Sequence, residues 1–107
     1  MGVQILVAEG DSGVLGYIVG RAVRDQGEIL NLGVPLNARR RGVGTSLVRQ
    51  LLASFAAAGV REVFLEVRES NRTAQALYES FGFVSVGRRV GYYRQPRESA
   101  ILMVKEL

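Results

Sequence analysis

The sequence predicts an α+β fold of mixed α/β layers, one sheet packed with two main helices. β-branched and apolar residues form six short strand-like segments, apolar residues recur at helical spacing in two others, and connections bearing Gly, Asp or Pro separate them. The predicted order is β-β-β-α-β-α-β-β, in a single domain over residues 1–107.

Taken in order, "VQILVAEG" and "VLGYIVGRAV" read as strands joined through "GDSG", an antiparallel hairpin by its Gly and Asp content. "EILNLGV" is a third strand. Residues 43–58 set Val43, Leu47, Val48, Leu51, Leu52 and Phe55 at helical spacing, and Gly59 stands where a helix stops. "REVFLEV" alternates again, with Val63, Leu65 and Val67 on one face and Phe64 and Glu66 on the other. Asn71 is placed to cap a second helix whose Ala74, Leu77, Tyr78 and Phe81 share a face, and Gly82 ends it. Two further strands, "FVSVGRRV" and "SAILMVKEL", flank "GYYRQPRE", which reads as a loop.

Composition narrows the chemistry. Hydrophobic residues make up 48% of the chain and charged residues 22%, a globular balance. No apolar run approaches the roughly 18 residues of a membrane span, so a soluble protein without a membrane partner is expected. The opening "MGVQILVAEGDSG" has no basic start and soon reaches acidic residues, which sets a cytoplasmic expectation. With no Cys and no His, disulfides, thiolate nucleophiles, Ser-His-Asp catalysis and ordinary zinc sites are excluded, and no metal is expected. Carboxylates, Tyr, Ser/Thr and backbone remain. The net charge is +4, and every basic residue except Lys105 is an arginine, the type suited to bidentate contact with phosphate or carboxylate.

Those arginines crowd one place. "NARRRGVGTSLV" puts Arg39, Arg40 and Arg41 beside Gly42-Val43-Gly44 where the first helix begins. A helix start already carries unpaired N–H groups and partial positive charge, so added cations repel unless an anion arrives. Two glycines let backbone N–H groups approach that anion, and a pyrophosphate fits the description. The Gly-Lys-Ser/Thr ending of a Walker loop is absent, and Leu47 stands where a dinucleotide fingerprint wants its third Gly. The other reading of this stretch alone is a Gly-rich turn with solvated arginines.

Arg39-x-x-Gly42-x-Gly44 after "LNLGV", then "LEVRESN", then "ALYESFGF" together resemble the GCN5-related N-acetyltransferase family over most of the chain. "LEVRESN", "ALYESFGF" and "GYYRQPRESAILM" are similar to the branch that acetylates the N-terminal alanine of a ribosomal protein. The resemblance implies acetyl-CoA as co-substrate, with Leu32, Gly33, Val34, Arg40, Arg41, Gly42, Val43, Gly44 and Thr45 lining it. Arg39 heads the loop, and Asn71 lies near the pantetheine arm. It assigns Glu66 as general base and Tyr78 as general acid, and it borders the acceptor with Tyr92, Tyr93 and Glu98. A peptide or protein N-terminus is the implied acceptor, a ribosomal protein's first.

The residues themselves bear on those roles. Glu66 is mid-strand, where Glu is disfavoured, so it faces water, a partner or a site. A chain without His or Cys needs another base for an ammonium substrate, and a carboxylate acting directly or through water serves. Tyr78 lies on an apolar helix face, where a core aromatic and a phenolic proton donor are compatible. Against the family pattern the chain begins directly at the hairpin, without the first strand and helix pair that wall the acceptor groove. An uncovered edge or apolar face predicts a homodimer. Two alternatives stay open on sequence: a CoA-binding module or regulatory subunit without catalysis, and a small-molecule amine acetyltransferase. A nucleic-acid binder ranks last, since the glycine loop and Glu66 have no role in it.

Overall fold

The alternating segments become six strands and the two periodic ones become helices in a computed structural model, which describes residues 2–39 and 41–107. The chain runs through β1 (Gly2–Gly10), β2 (Gly13–Val23), β3 (Gln26–Gly33), a short 3-10 turn at Leu36–Ala38, α1 (Val43–Ala57), β4 (Glu62–Arg68), α2 (Arg72–Ser80), β5 (Val84–Arg94) and β6 (Arg97–Glu106). The order matches the sequence expectation. The six strands form one sheet in the order β1-β2-β3-β4-β6-β5, antiparallel except for the parallel β3–β4 pair. Parallel neighbours need a crossover, and α1 supplies it.

Both helices contribute to one core. From α1 come Val43, Leu47, Val48, Leu51, Leu52 and Phe55, the stripe read from the sequence; α2 adds Tyr78, with Ala74 and Leu77 packed against it. The sheet answers with Ile18, Ala22, Ile29, Val63, Leu65, Val67 and Met103. Each apolar side chain of this size contributes about 1.5–3 kcal/mol by full burial. Close approach of α1 to the sheet requires small residues beneath it: a Cβ at Gly20 would lie 2.8 Å from both Leu51 Cδ2 and Phe55 Cζ. The opposite face of the sheet bears no helix. There Val3, Ile5 and Val7 of β1 and Val84 of β5 stay exposed, at 49–63% of their surface.

One irregularity shapes the middle of the sheet. Val19 pairs with Asn31 but Gly20 pairs with Ile29, so Leu30 is an extra residue in β3. Such a bulge bends its strand. The parallel ladder with β4 ends at this point, its last pair being Ile29 and Leu65, while β3 continues to Gly33 and β4 to Arg68. The two strands therefore splay. Their facing backbone groups beyond the last pair have no ladder partner among the described residues.

The reading of "GYYRQPRE" as a loop is corrected. Tyr92, Tyr93 and Arg94 are part of β5, Arg97 and Glu98 belong to β6, and only Gln95–Pro96 turn the chain. Pairing with β6 overrides the Gly and Pro signals, because ladder hydrogen bonds outweigh weak local propensity. Gly91 sits in an irregular stretch between the Arg89–Ala100 and Tyr93–Glu98 pairs, at φ 64°, with its N–H donated to Ser99 Oγ at 3.2 Å.

Candidate active site

Two features converge on the splay, one from each face of the sheet. On the helix side a groove of about 660 Å³ opens between the end of β3 and the starts of α1 and α2. Of the residues expected at a cofactor, Leu32, Val34, Arg39, Gly42, Val43, Gly44, Thr45 and Asn71 line it. Ala38, Thr73, Ala74 and Leu77 line it too and were not anticipated from the sequence; the helical spacing of Ala74 and Leu77 carried the signal but read as core. Gly33 and Arg41 are not in the lining, and Arg40 lies outside the described residues. A smaller depression of about 300 Å³, beside Gly91, Arg94 and Arg97, sits on the β5–β6 hairpin.

The start of α1 is chemically unfinished. Gly42 takes the N-cap position at φ 74°, the left-handed region that favours glycine, and no side chain caps the helix. The first turn carries no acidic residue either. Its leading N–H groups have no intrahelical acceptor, and Gly42, Val43, Gly44 and Thr45 are in the groove lining; such a helix start favours negative charge. Arg39 turns its Nε to the Val34 carbonyl at 2.9 Å, tying the loop to the end of β3 while its remaining donors stay beside the groove. Gly44 faces α2: a Cβ there would lie 3.3 Å from Leu77 Cδ2. Gly33 has a packing reason instead, because a Cβ there would fall 2.4 Å from the Tyr17 ring.

Asn71 caps α2 as predicted, its Oδ1 accepting from Ala74 N–H at 3.1 Å, which leaves the amide NH₂ available to a ligand. Tyr78 is buried, 5% exposed, with its ring edge-on to Phe83 at 5.6 Å. Burial pushes its phenol up to about 12, because the charged form loses water. Tyr78 itself is not in the groove lining, which takes in its helix neighbours Ala74 and Leu77.

On the open face, Glu66 is the first residue of β4 after the last parallel pair, and it points away from Val63, Leu65 and Val67 as the alternation required. Its side chain is 19% exposed and its Oε2 lies 3.1 Å from Arg89 Nε. That contact brings opposite charges together without hydrogen-bond geometry, so the buried Oε2 has no hydrogen-bond partner among the described residues. Around it stands an ordered set of aromatic and charged groups. Arg68 lies 4.1 Å over the Tyr93 ring and is held by Glu98 at 3.2 Å. Tyr92 meets Tyr93 edge-on at 5.1 Å, and Arg89 lies 5.2 Å over Tyr92. Burial first, then the Glu66 charge, pushes the Tyr93 phenol up. Glu98 also accepts from Ser70 N–H, and hydrogen bonding by Ser70, its side chain first and then its backbone, with Arg68 after it, holds the Glu98 carboxyl below the usual range. Glu98 thus fastens the turn before α2, whereas Arg68 and Arg89, absent from the expected site, are the cations beside the tyrosines.

The arrangement defines a class: a two-layer α+β domain whose splayed parallel strands join an anion-ready groove on one face to a carboxylate on the other. The chain belongs to the Acetyltransferase (GNAT) family, whose model matches residues 2–83. Among curated relatives, the [ribosomal protein bS18]-alanine N-acetyltransferase of Salmonella typhimurium is 37% identical over 95 residues, spanning 87% of this chain and 64% of that protein. The crystal structure of the ribosomal-protein-S18-alanine N-acetyltransferase from Escherichia coli superposes with a TM-score of 0.90 at 31% identity, over 97% of this chain and 68% of that one. A crystal structure of the NatC complex bound to Gag peptide and CoA gives a TM-score of 0.85 at 27% identity, over 98% of this chain and 70% of that one. The chain spans about 60–64% of the length of the first curated relatives it matches.

Proposed function

We propose that this domain moves an acetyl group from acetyl-CoA to a primary amine by direct transfer, and that the amine is a protein N-terminus, a ribosomal protein's alanine first. The observation that carries this reading is the meeting of the groove and Glu66 at one gap in the sheet, from opposite faces. Its size falls within the 300–1,000 Å³ typical of cofactor sites. The uncapped start of α1, with Arg39 and Arg41 near it, suits a pyrophosphate; the side of β3 at Leu32 and Gly33 left unpaired by β4, with Val34 after it, suits an amide-bearing arm. Residues 1–107 act as one domain in this reading, and a ribosomal acceptor goes with a cytoplasmic place.

Acetyl-CoA supplies an activated thioester and a thiol leaving group when bound. The chain does the rest. Glu66 takes the ammonium's proton on its carboxylate, directly or through water, and Tyr78 presents a phenolic proton to the sulfur side. Tyr92 and Tyr93 flank the amine's approach on the open face. No covalent acyl-enzyme is needed, in keeping with a chain that has no Cys or His. The test is incubation with acetyl-CoA and a peptide library differing at the first residue, read by mass spectrometry and by free thiol. Acetylation of alanine-starting peptides is expected; CoA binding without any thiol release would reduce the protein to a CoA-binding module.

Acetyl-CoA at about 100 times its dissociation constant is expected to stabilise the fold by about 2.7 kcal/mol, a rise of roughly 10–20 °C in Tm. NAD and ATP should do less. Gly44→Val should remove most of the rise, because the added side chain meets Leu77 and fills the groove. A folded Gly44→Val protein with an undiminished shift would show that the ligand lies elsewhere.

We also infer that two copies associate through the β1 edge, at the end of the helix-free face away from Glu66 and the β5 tyrosines. Apolar Val3, Ile5 and Val7 alternate along that edge strand, and an edge of this kind pairs readily with its own copy in antiparallel register. Light scattering across a dilution series is expected to give a dimer mass that falls on dilution. A constant monomer mass, without aggregation, would rule the association out.

A further inference from the structure

Arg89 differs from the other arginines around it. Arg88 is bound to Glu69 by two hydrogen bonds, at 2.7 and 3.0 Å, and Arg68 is held by Glu98 and by the Gln95 and Pro96 carbonyls. Arg89 makes a charge contact with Glu66 through Nε at 3.1 Å, yet that contact does not satisfy Oε2 as a hydrogen bond. Its side chain is 61% exposed and its guanidinium lies against the Tyr92 ring, 5.2 Å from the centroid. So the carboxylate at the gap is charge-balanced, its buried Oε2 has no hydrogen-bond donor among the described residues, and the cation that balances it is mostly exposed.

We propose that Arg89 is a resident cation standing in for the acceptor's ammonium at Glu66, and that acceptor binding exchanges one for the other; the proposal rests on Glu66 being the acceptor-side carboxylate. An ammonium is compact and carries several N–H donors, so it supplies both the charge that Arg89 supplies and the hydrogen bond that Arg89 does not. Arg89 need not travel far, since the Tyr92 ring already receives its guanidinium face. Until the exchange, Arg89 keeps the Glu66 carboxylate compensated and disfavours capture of stray cations by like-charge repulsion. Afterwards the two cations lie close, which favours the neutral amine that the transfer needs. Arg89 is therefore a positioning residue that acts through Glu66.

The exchange is read by binding, apart from turnover. The probes are a short alanine-starting peptide with an amidated C-terminus and the same peptide N-acetylated, each titrated into the protein saturated with CoA. For Arg89→Ala the free-amine peptide is expected to bind more tightly by about twofold to fivefold, the range a partly exposed ion pair contributes. The N-acetylated peptide, which has no ammonium, should bind equally to both proteins. Arg89→Lys, whose own ammonium also meets the Glu66 carboxylate, should bind the free-amine peptide no more tightly than the wild type, and in a Glu66→Gln background the gain from Arg89→Ala should shrink. Unchanged or weaker binding of the free-amine peptide by Arg89→Ala overturns the exchange, as does the same gain in the Glu66→Gln background. A wild type that binds the peptide under CoA but releases no thiol from acetyl-CoA would instead sink the transferase reading, with the Arg89 comparison still read as above.

Discussion

Glu66→Gln is expected to lower kcat by about 100-fold to 10,000-fold, the range general-base help supplies, while the acetyl-CoA dissociation constant stays within about twofold. The substitution keeps the shape of the side chain but removes its negative charge and with it the capacity to take a proton. The cofactor groove opens on the other face of the sheet, and Glu66 is not in its lining, so binding there has no reason to change. Stability should move little. The lost partner is Arg89, 61% exposed, and an ion pair with one member in solvent contributes about 1 kcal/mol or less. Rate measurements at saturating acetyl-CoA and peptide check the expectation, with thermal melts as the folding control. A Glu66→Gln protein with wild-type kcat, where chemistry limits the rate, would take the carboxylate out of the mechanism.

Tyr78→Phe is expected to lower kcat by about 100-fold, towards the smaller end of that range. The reason lies in its burial. With its phenol pushed up to about 12, Tyr78 stays protonated at every physiological pH, but it is a weaker acid than an ordinary thiol near 8.5. Complete proton transfer to a departing sulfur is then uphill, so the hydroxyl contributes chiefly as a hydrogen-bond donor to growing negative charge. The ring stays, and with it the edge contact to Phe83, so stability should shift by less than about 1.5 kcal/mol. A second readout follows from the same burial. A raised phenol means that the folded state holds its proton after the unfolded chain has released it, so this contribution to stability is whole below pH 10 and is lost as pH rises towards 12. Tyr78→Phe lacks that decline. Wild-type kcat in the variant would return Tyr78 to a packing role alone, and an unchanged alkaline stability profile would show that the hydroxyl is not buried.

Sequence alone determined what periodicity and local chemistry can express. The order of strands and helices, the buried stripe of α1 from Val43 to Phe55, the Asn71 cap and the outward face of Glu66 all follow from spacing within a few residues, where each side chain's direction is set by the backbone next to it. The Gly42–Gly44 loop was legible for the same reason, since a left-handed N-cap and an uncapped helix start are local states. The absence of Cys and His, read from composition, already left only carboxylates, Tyr, Ser/Thr and backbone for the chemistry. What only the tertiary structure decided depends on partners distant in the chain. The bulge at Leu30 exists only relative to Val19 and Gly20 of β2, and the end of the parallel ladder at Ile29 and Leu65 only relative to both strands. Strand formation at Tyr92, Tyr93 and Glu98 came from pairing between β5 and β6, which local Gly and Pro signals contradict. The meeting of Arg89 with Glu66 likewise requires β6 to lie between β4 and β5. Strand register and neighbour order are fixed by hydrogen bonds and packing between separated segments, so no window of sequence contains them.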